Sequence, residues 1–284
     1  MDDKRYGEVI LRDLPQEHFA AIKKAAHDAS HDFFVSIIFD DLLRGSGTLI
    51  DAWGALGVLT AYHVVEQTLD RDRDGTLSLN IDDRPHRFEI PRYCIEHIPL
   101  GIPDRRRLER GPDLSFLRLS GASIILTLKS KKSFYRIEEK SFDDYREPDP
   151  NTLFWWMVGA PGSMHRPMTS TTNEGALLAK HLIAEAGFGG ITECGNLDIL
   201  RLVLRAGENP FPRDYRGVSG GGVWVSALTM ECDAPLTTTQ FTSCHLAGVA
   251  YFQGDLRDDS DSREIFANGP RSLMSLLERL KPGV

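Results

Sequence analysis

Three short segments set side chains capable of acid–base or nucleophilic chemistry beside apolar runs. In Gly57-Val58-Leu59-Thr60-Ala61-Tyr62-His63-Val64-Val65 an apolar strand ends in small residues and then presents a histidine. In Pro112-Asp113-Leu114-Ser115-Phe116-Leu117-Arg118-Leu119 a carboxylate directly precedes an alternating apolar strand. In Arg216-Gly217-Val218-Ser219-Gly220-Gly221-Gly222-Val223-Trp224 a serine sits in a glycine frame that leads into another apolar strand. Each has a bland reading on its own: a strand-end histidine, a turn-capping aspartate, a flexible glycine turn. Together they supply a base, a carboxylate to orient it and a nucleophile. Glycine tolerates positive φ, so the frame around Ser219 can turn backbone N–H groups toward one point. Two such groups beside a nucleophile make an oxyanion hole. The order is His, Asp, Ser, with spacings of 50 and 106 residues.

The elements that must position these residues are short and mostly β. Runs rich in β-branched and aromatic residues, punctuated by Gly, Pro, Asp and Asn, predict strands over 33–39, 47–53, 57–62, 77–81, 86–90, 114–119, 123–129 and 133–137. A second series is predicted over 152–158, 176–186, 197–204, 222–228 and 245–252. Many short strands at this spacing imply a barrel or a sandwich. The charged, proline-bearing stretch 138–151 reads as a linker between two β units of similar size. Apolar residues at helical spacing predict a helix over 14–29 and a closing helix over 269–281, the latter through Leu273, Leu276, Leu277 and Leu280. In Trp155-Trp156 the two rings alternate across a strand, so one faces a core and the other an interdomain or surface position.

Composition narrows the classes. The chain has 284 residues, 41% hydrophobic and 26% charged, with a net charge of −8. This is an ordinary globular composition with room for two folding units. The acidic balance argues against general nucleic-acid or anionic-membrane binding. The opening residues lack the basic start and apolar run of a signal peptide, and no stretch approaches the ~20 apolar residues of a membrane span. Cys94, Cys194, Cys232 and Cys244 form no CxxC pair and no disulfide framework, which suits a reducing, cytoplasmic setting. No metal or cofactor is expected. Asp70-Arg71-Asp72-Arg73-Asp74-Gly75 starts like a calcium loop, but its twelfth position is Ile81 where a glutamate is needed. His27 and His31 have ligand spacing without the intervening glutamate of a zinc helix. Asp255, Asp258, Asp259 and Asp261 read as a solvated loop.

The three segments resemble those of the trypsin-like (chymotrypsin-fold) serine peptidases, whose triad runs in this chain order. LTAYHVV, DLSFLRL and GVSGGGVW carry the likeness. Gly45-Ser46-Gly47-Thr48-Leu49-Ile50, Val158-Gly159-Ala160-Pro161-Gly162 and His245-Leu246-Ala247-Gly248-Val249-Ala250 add to it, so it covers about residues 33–281. The resemblance implies a mainly β fold of two six-stranded antiparallel β-barrels with an N-terminal and a C-terminal helix. Residues 1–32 would be a helical extension. Residues 33–140 would form the first barrel with His63 and Asp113, and 141–284 the second barrel with Ser219 and the closing helix. By the same resemblance His63 is general base, Asp113 its orienter, Ser219 the nucleophile, and the N–H groups of Gly217 and Ser219 the oxyanion hole.

The family's primary specificity pocket has its base a few residues before the serine, at Arg213 and Asp214 here. Asp214 would favour a basic substrate side chain and Arg213 an acidic one; the sequence leaves this open. Ala250 and Tyr251 would border the pocket. Secreted members often carry an aspartate just before the serine and a cysteine after the histidine; Val218 and the absence of that cysteine point to an intracellular, bacterial-type, non-zymogen member. With Val218 nothing in the sequence pins the oxyanion loop, so its ordering is expected to depend on substrate or a partner. The expected activity is a cytoplasmic serine endopeptidase of narrow specificity acting on protein or peptide, with a regulatory protein partner. The alternative is a catalytically silent binding module on the same fold.

Overall fold

The structure is a computed structural model. It describes residues 6–8, 16–39, 42–69, 76–81, 87–104, 106, 108–137, 153–164, 166–168, 176–178, 182–207, 212–231, 240–241, 244–256 and 261–283. The first part contains β1 (Tyr6–Glu8), α1 (Gln16–His31), β2 (Phe34–Phe39), β3 (Leu42–Ala52), β4 (Ala55–Thr60), α2 (Tyr62–Leu69), β5 (Thr76–Asn80), β6 (Arg87–Pro91), β7 (Ile95–Gly101), β8 (Leu114–Leu119), α3 (Ala122–Lys129) and β9 (Tyr135–Arg136). The second contains β10 (Leu153–Gly159), β11 (Arg166–Met168), β12 (Ala176–Leu178), β13 (Leu182–Cys194), β14 (Leu197–Arg205), β15 (Gly222–Glu231), β16 (Gln240–Phe241), β17 (His245–Leu256), β18 (Ser262–Asn268) and α4 (Pro270–Leu277).

The second sheet runs β15-β10-β13-β14-β18-β17, and β17 pairs back onto β15, closing a six-stranded antiparallel barrel. The first sheet has the order β6-β5-β2-β3-β4-β8-β7 and does not close by hydrogen bonds. Its two edge strands are instead consecutive in the chain, joined by one 3₁₀ turn at Arg92–Cys94. The architecture is mainly β and chymotrypsin-like, with one closed six-stranded barrel and one open half-barrel where two six-stranded barrels are expected, and with helices near both chain ends.

Strand alternation explains how the two halves meet. In β10, Leu153, Trp155 and Met157 enter the core of the second barrel, whereas Phe154, Trp156 and Val158 enter the seam between the sheets. The seam also takes Leu59 and Phe116 from the first sheet, Ile22 and Ala26 from α1, and Leu273 and Leu277 from α4. Both tryptophans are buried; Trp156 Nε1 donates to Ser30 Oγ at 3.1 Å, which fastens the end of α1 to this seam. The start of α4 is held by Asp198, whose carboxylate accepts the Ser272 N–H at 2.7 Å while Ser272 Oγ donates to the Asp198 carbonyl at 2.6 Å. That satisfies N–H groups which a helix start leaves without internal partners.

Several predicted elements change. The 123–129 run forms helix α3, not a strand: Gly121, at φ +92°, turns the chain, and of α3 only Leu128 is buried. A short apolar run does not by itself distinguish the two. The predicted strand 176–186 is two pieces, β12 in a ribbon with β11 and the start of β13. Strands β7 and β18 escape the pattern. Pro99 argues against a strand, but among the described residues β7 pairs only with β8 and its register shifts between Pro99 and Gly101, so the missing N–H is tolerated. The predicted linker 138–151 and the calcium-like loop 70–75 lie outside the described residues. Among the described residues no helix is long and apolar enough to cross a membrane.

Candidate active site

His63 is the second residue of α2. Its backbone N–H lies in the first turn, where a helix supplies no partner. Asp113 Oδ1 accepts it at 3.1 Å, and Asp113 Oδ2 lies 2.6 Å from His63 Nδ1. A buried carboxylate needs such donors, and Asp113 is only 1% exposed. An ionised carboxylate only accepts, so Nδ1 carries the proton and the neutral ring presents a lone pair at Nε2. Asp113 is itself clasped from the other barrel: Asn268 Nδ2 donates to its carbonyl at 2.9 Å, and its N–H donates to Asn268 Oδ1 at 3.2 Å.

Ser219 sits in the turn that leads into β15. The other backbone N–H groups of this turn are occupied. The N–H of Tyr215 goes to Gln253 Oε1 at 2.9 Å and that of Arg216 to Asp214 Oδ1 at 2.9 Å. The N–H groups of Val218, Gly220 and Gly221 go to the carbonyls of Tyr215, Ala250 and Val218. The Arg216 carbonyl accepts from Gly162 N–H at 2.7 Å, the Gly217 carbonyl from Ser46 Oγ at 2.8 Å, and the Ser219 carbonyl from Ser46 N–H at 2.8 Å. Among the described residues the N–H groups of Gly217 and Ser219 are left without a partner. In a trans peptide the N–H and C=O point opposite ways. With the Arg216 carbonyl held by Gly162, the Gly217 N–H is turned away from that contact. This needs φ +97° at Gly217, where a Cβ would come within 2.6 Å of the Ala160 carbonyl.

The expectation that nothing pins this loop is therefore corrected. Ser46 holds two of its carbonyls and also accepts the Ala160 N–H at 2.9 Å. The Gly45-Ser46-Gly47 segment attracts notice in the sequence; the Asn268 clasp carries no local signal there.

His63, Gly217 and Ser219 line one open cleft of about 710 Å³, together with Tyr62, Tyr251 and Phe252. Ser219 Oγ donates to the Tyr251 carbonyl at 3.4 Å, a long bond, and no hydrogen bond joins it to His63. Of the four residues expected at the specificity pocket, Tyr251 lines the cleft and Arg213, Asp214 and Ala250 do not. Arg213 is exposed, and its carbonyl accepts from Arg263 Nε at 2.9 Å. Ala250 is buried and bonds the backbone of Gly220 and Gly221. Asp214 grips Arg216 and Gln253, both of which do line the cleft. Burial alone would raise the Asp214 pKa. The Arg216 N–H, the Gln253 amide and the Arg216 guanidinium outweigh it and hold the carboxyl below its ordinary range. Burial, with Asp113 adding to it, pushes the Tyr251 hydroxyl up; this hydroxyl donates to the Glu109 carbonyl at 3.1 Å.

No protein-family model matches this chain, and no curated protein sequence matches it either. Solved structures do. Neuropsin, a serine protease of mouse brain, has a TM-score of 0.46 at 12% identity over 89% of this chain and 96% of its own. Human heparin binding protein gives 0.48 at 13% identity over 90% of this chain and 94% of its own. An HtrA-type protease, AlgW, solved with a tripeptide gives 0.47 at 11% identity over 92% of this chain and 64% of its own. None assigns a role to any residue here. The closed barrel and the half-barrel rest on the strand pairing described above.

Proposed function

We propose that this chain is a serine endopeptidase acting through His63, Asp113 and Ser219. The observation that carries the reading is the pair of N–H groups on Gly217 and Ser219 that have no partner among the described residues, beside the Ser219 hydroxyl in the cleft that His63 also lines. In the proposed reaction Ser219 Oγ turns from the Tyr251 carbonyl toward His63 and attacks the carbonyl carbon of a peptide bond. Its proton passes to His63 Nε2, and Asp113 stabilises the resulting imidazolium. The two N–H groups hold the oxyanion of the tetrahedral intermediate. Its collapse breaks the C–N bond, and the proton on His63 leaves with the amine. Water, deprotonated by His63, then releases the acyl group and restores Ser219.

Narrow specificity and control by a protein partner are part of the same proposal, as is a cytoplasmic setting. The resting contact of Ser219 with Tyr251 supports the control: whatever engages the cleft must turn the hydroxyl to the base. The free thiols at Cys94, Cys194 and Cys244 support the setting. The same Ser219–Tyr251 contact favours the second reading, a silent binding module. Incubation with a peptide library separates the two. New termini generated by wild type and not by Ser219→Ala support the peptidase. Identical, intact libraries from both, together with saturable retention of particular peptides, support the module.

A further inference from the structure

The charge of Asp214 is taken up by contacts within the chain. Its Oδ1 accepts the Arg216 N–H at 2.9 Å and Gln253 Nε2 at 2.8 Å, while its Oδ2 lies 2.5 Å from both Nε and Nη2 of Arg216. Its backbone carbonyl accepts Ser163 Oγ at 3.3 Å. Gln253 completes a ring, because its Oε1 accepts the Tyr215 N–H at 2.9 Å. These bonds close on residues 214–216, directly before Gly217.

From this we infer that Asp214 is a positioning residue: it holds the Arg216–Gly217 peptide so that the Gly217 N–H faces the cleft, and it does not select a basic substrate side chain. The inference rests on the peptidase reading above and deepens it. The Arg216 N–H on Asp214 and the Arg216 carbonyl on Gly162 fix the peptide units on both sides of the Arg216 α-carbon. Release of the first bond frees the Tyr215–Arg216 unit and leaves the Arg216–Gly217 unit held only through its carbonyl on Gly162, so it can tilt at a glycine that already tolerates positive φ. Rotation takes away one oxyanion donor and leaves the His63–Asp113 pair untouched. A carboxylate with four donor atoms on it has no free lone pair aimed at a substrate ammonium, and Arg216 already neutralises it. Arg213 is turned out of the cleft. Asp214 thus adds no free negative charge to the cleft, whose lining includes Val218, Tyr251, Phe252 and Gln253 together with Arg44 and Arg216.

The test compares the full-length wild type with Asp214→Ala, Asp214→Asn and Arg216→Ala, using three peptide thioesters that end in Lys, Phe or Glu at the acyl residue. Unfolding midpoints and the downfield proton resonance of His63 Nδ1 are recorded for each protein. The expected result for Asp214→Ala is a loss of kcat of about 10²-fold, the size of one lost oxyanion donor. KM, the order of the three substrates and the His63 resonance should stay as in wild type. Asp214→Asn keeps an acceptor for the Arg216 N–H and restores most of kcat. Arg216→Ala keeps that backbone bond but bares Asp214 Oδ2, so its kcat should fall less than that of Asp214→Ala while turnover of the Lys thioester gains on the other two.

An Asp214→Ala protein with wild-type kcat overturns the inference, and so does a wild-type preference for Lys that this variant loses. If Asp214→Ala fails to fold, Asp214→Asn and Arg216→Ala decide: a collapse of kcat in either also overturns it. A folded wild type that neither turns over a thioester nor takes a fluorophosphonate label strikes the peptidase reading itself, and this inference falls with it.

Discussion

Asn268 holds both backbone groups of Asp113, its amide nitrogen on the carbonyl at 2.9 Å and its amide oxygen on the N–H at 3.2 Å. Asn268 ends β18 in the second barrel, and Asp113 precedes β8 in the first. The carboxylate that faces His63 is thus fastened across the seam by one buried amide, and Asn268 itself is 2% exposed.

Removing that amide should be felt at the site and in stability. Asn268→Ala leaves buried backbone groups without partners, at a cost of about 1–3 kcal/mol. Asn268→Asp keeps the shape but sets a second carboxylate near Asp113. Thermal unfolding and kcat measured together check this. Both variants should lose stability, and Asn268→Asp should slow turnover more than its unfolding midpoint predicts. Wild-type turnover in both would show that the clasp does not position the carboxylate.

Asp113→Asn tests the orienting role directly. An amide can present its NH₂ to Nδ1 and stabilise the wrong tautomer, and a loss of roughly 10⁴ in kcat is expected. Retention of most activity, measured as steady-state peptide hydrolysis, would show that Nδ1 needs no carboxylate.

The pH dependence of the oxyanion loop follows from Asp214. Its folded pKa is depressed, so its contribution to stability is present above the unfolded value of about 3.9 and is lost as pH falls through the lower folded value. The difference in unfolding midpoint between wild type and Asp214→Asn should be constant above roughly pH 5 and shrink below about pH 4. A difference that grows as the solution is acidified would contradict the bonding described for Asp214.

The thiols should differ in reactivity. Burial pushes the Cys244 pKa up to about 12, whereas Cys194 is exposed at the end of β13. Thiolates, not thiols, react with alkylating agents. Iodoacetamide at about pH 8 should therefore modify Cys194 well before Cys244 in the folded protein, as read by peptide mass mapping.

How far the sequence reaches depends on how local each signal is. The strand 114–119 is legible because its apolar residues Leu114, Phe116, Leu117 and Leu119 form one short run and are all buried. His63, Asp113 and Ser219 stand out because each follows or precedes such a strand, and the structure sets the first two in contact and all three around one cleft. Helix α3 is misread because Ile124, Ile125 and Leu126 form a β-branched, apolar run whose helical face shows only in the burial of Leu128. Strand β7 is hidden by Pro99, whose tolerance depends on an edge that only the assembled sheet reveals. Asn268 is invisible because its role is a contact over 155 residues of chain. Arg213 and Asp214 are adjacent and opposite in charge, so only the fold could show that Asp214 pairs with Arg216.

In the proposed site His63, oriented by Asp113, activates Ser219 beside two N–H groups left without a partner among the described residues. Fluorophosphonate labelling read by intact mass tests it most directly, with Ser219→Ala and His63→Ala as controls. One adduct per chain is expected on wild type, located on Ser219, with none on Ser219→Ala and labelling slowed by orders of magnitude in His63→Ala. A folded wild type that takes no label, alone and in lysate of its native cell, would contradict it.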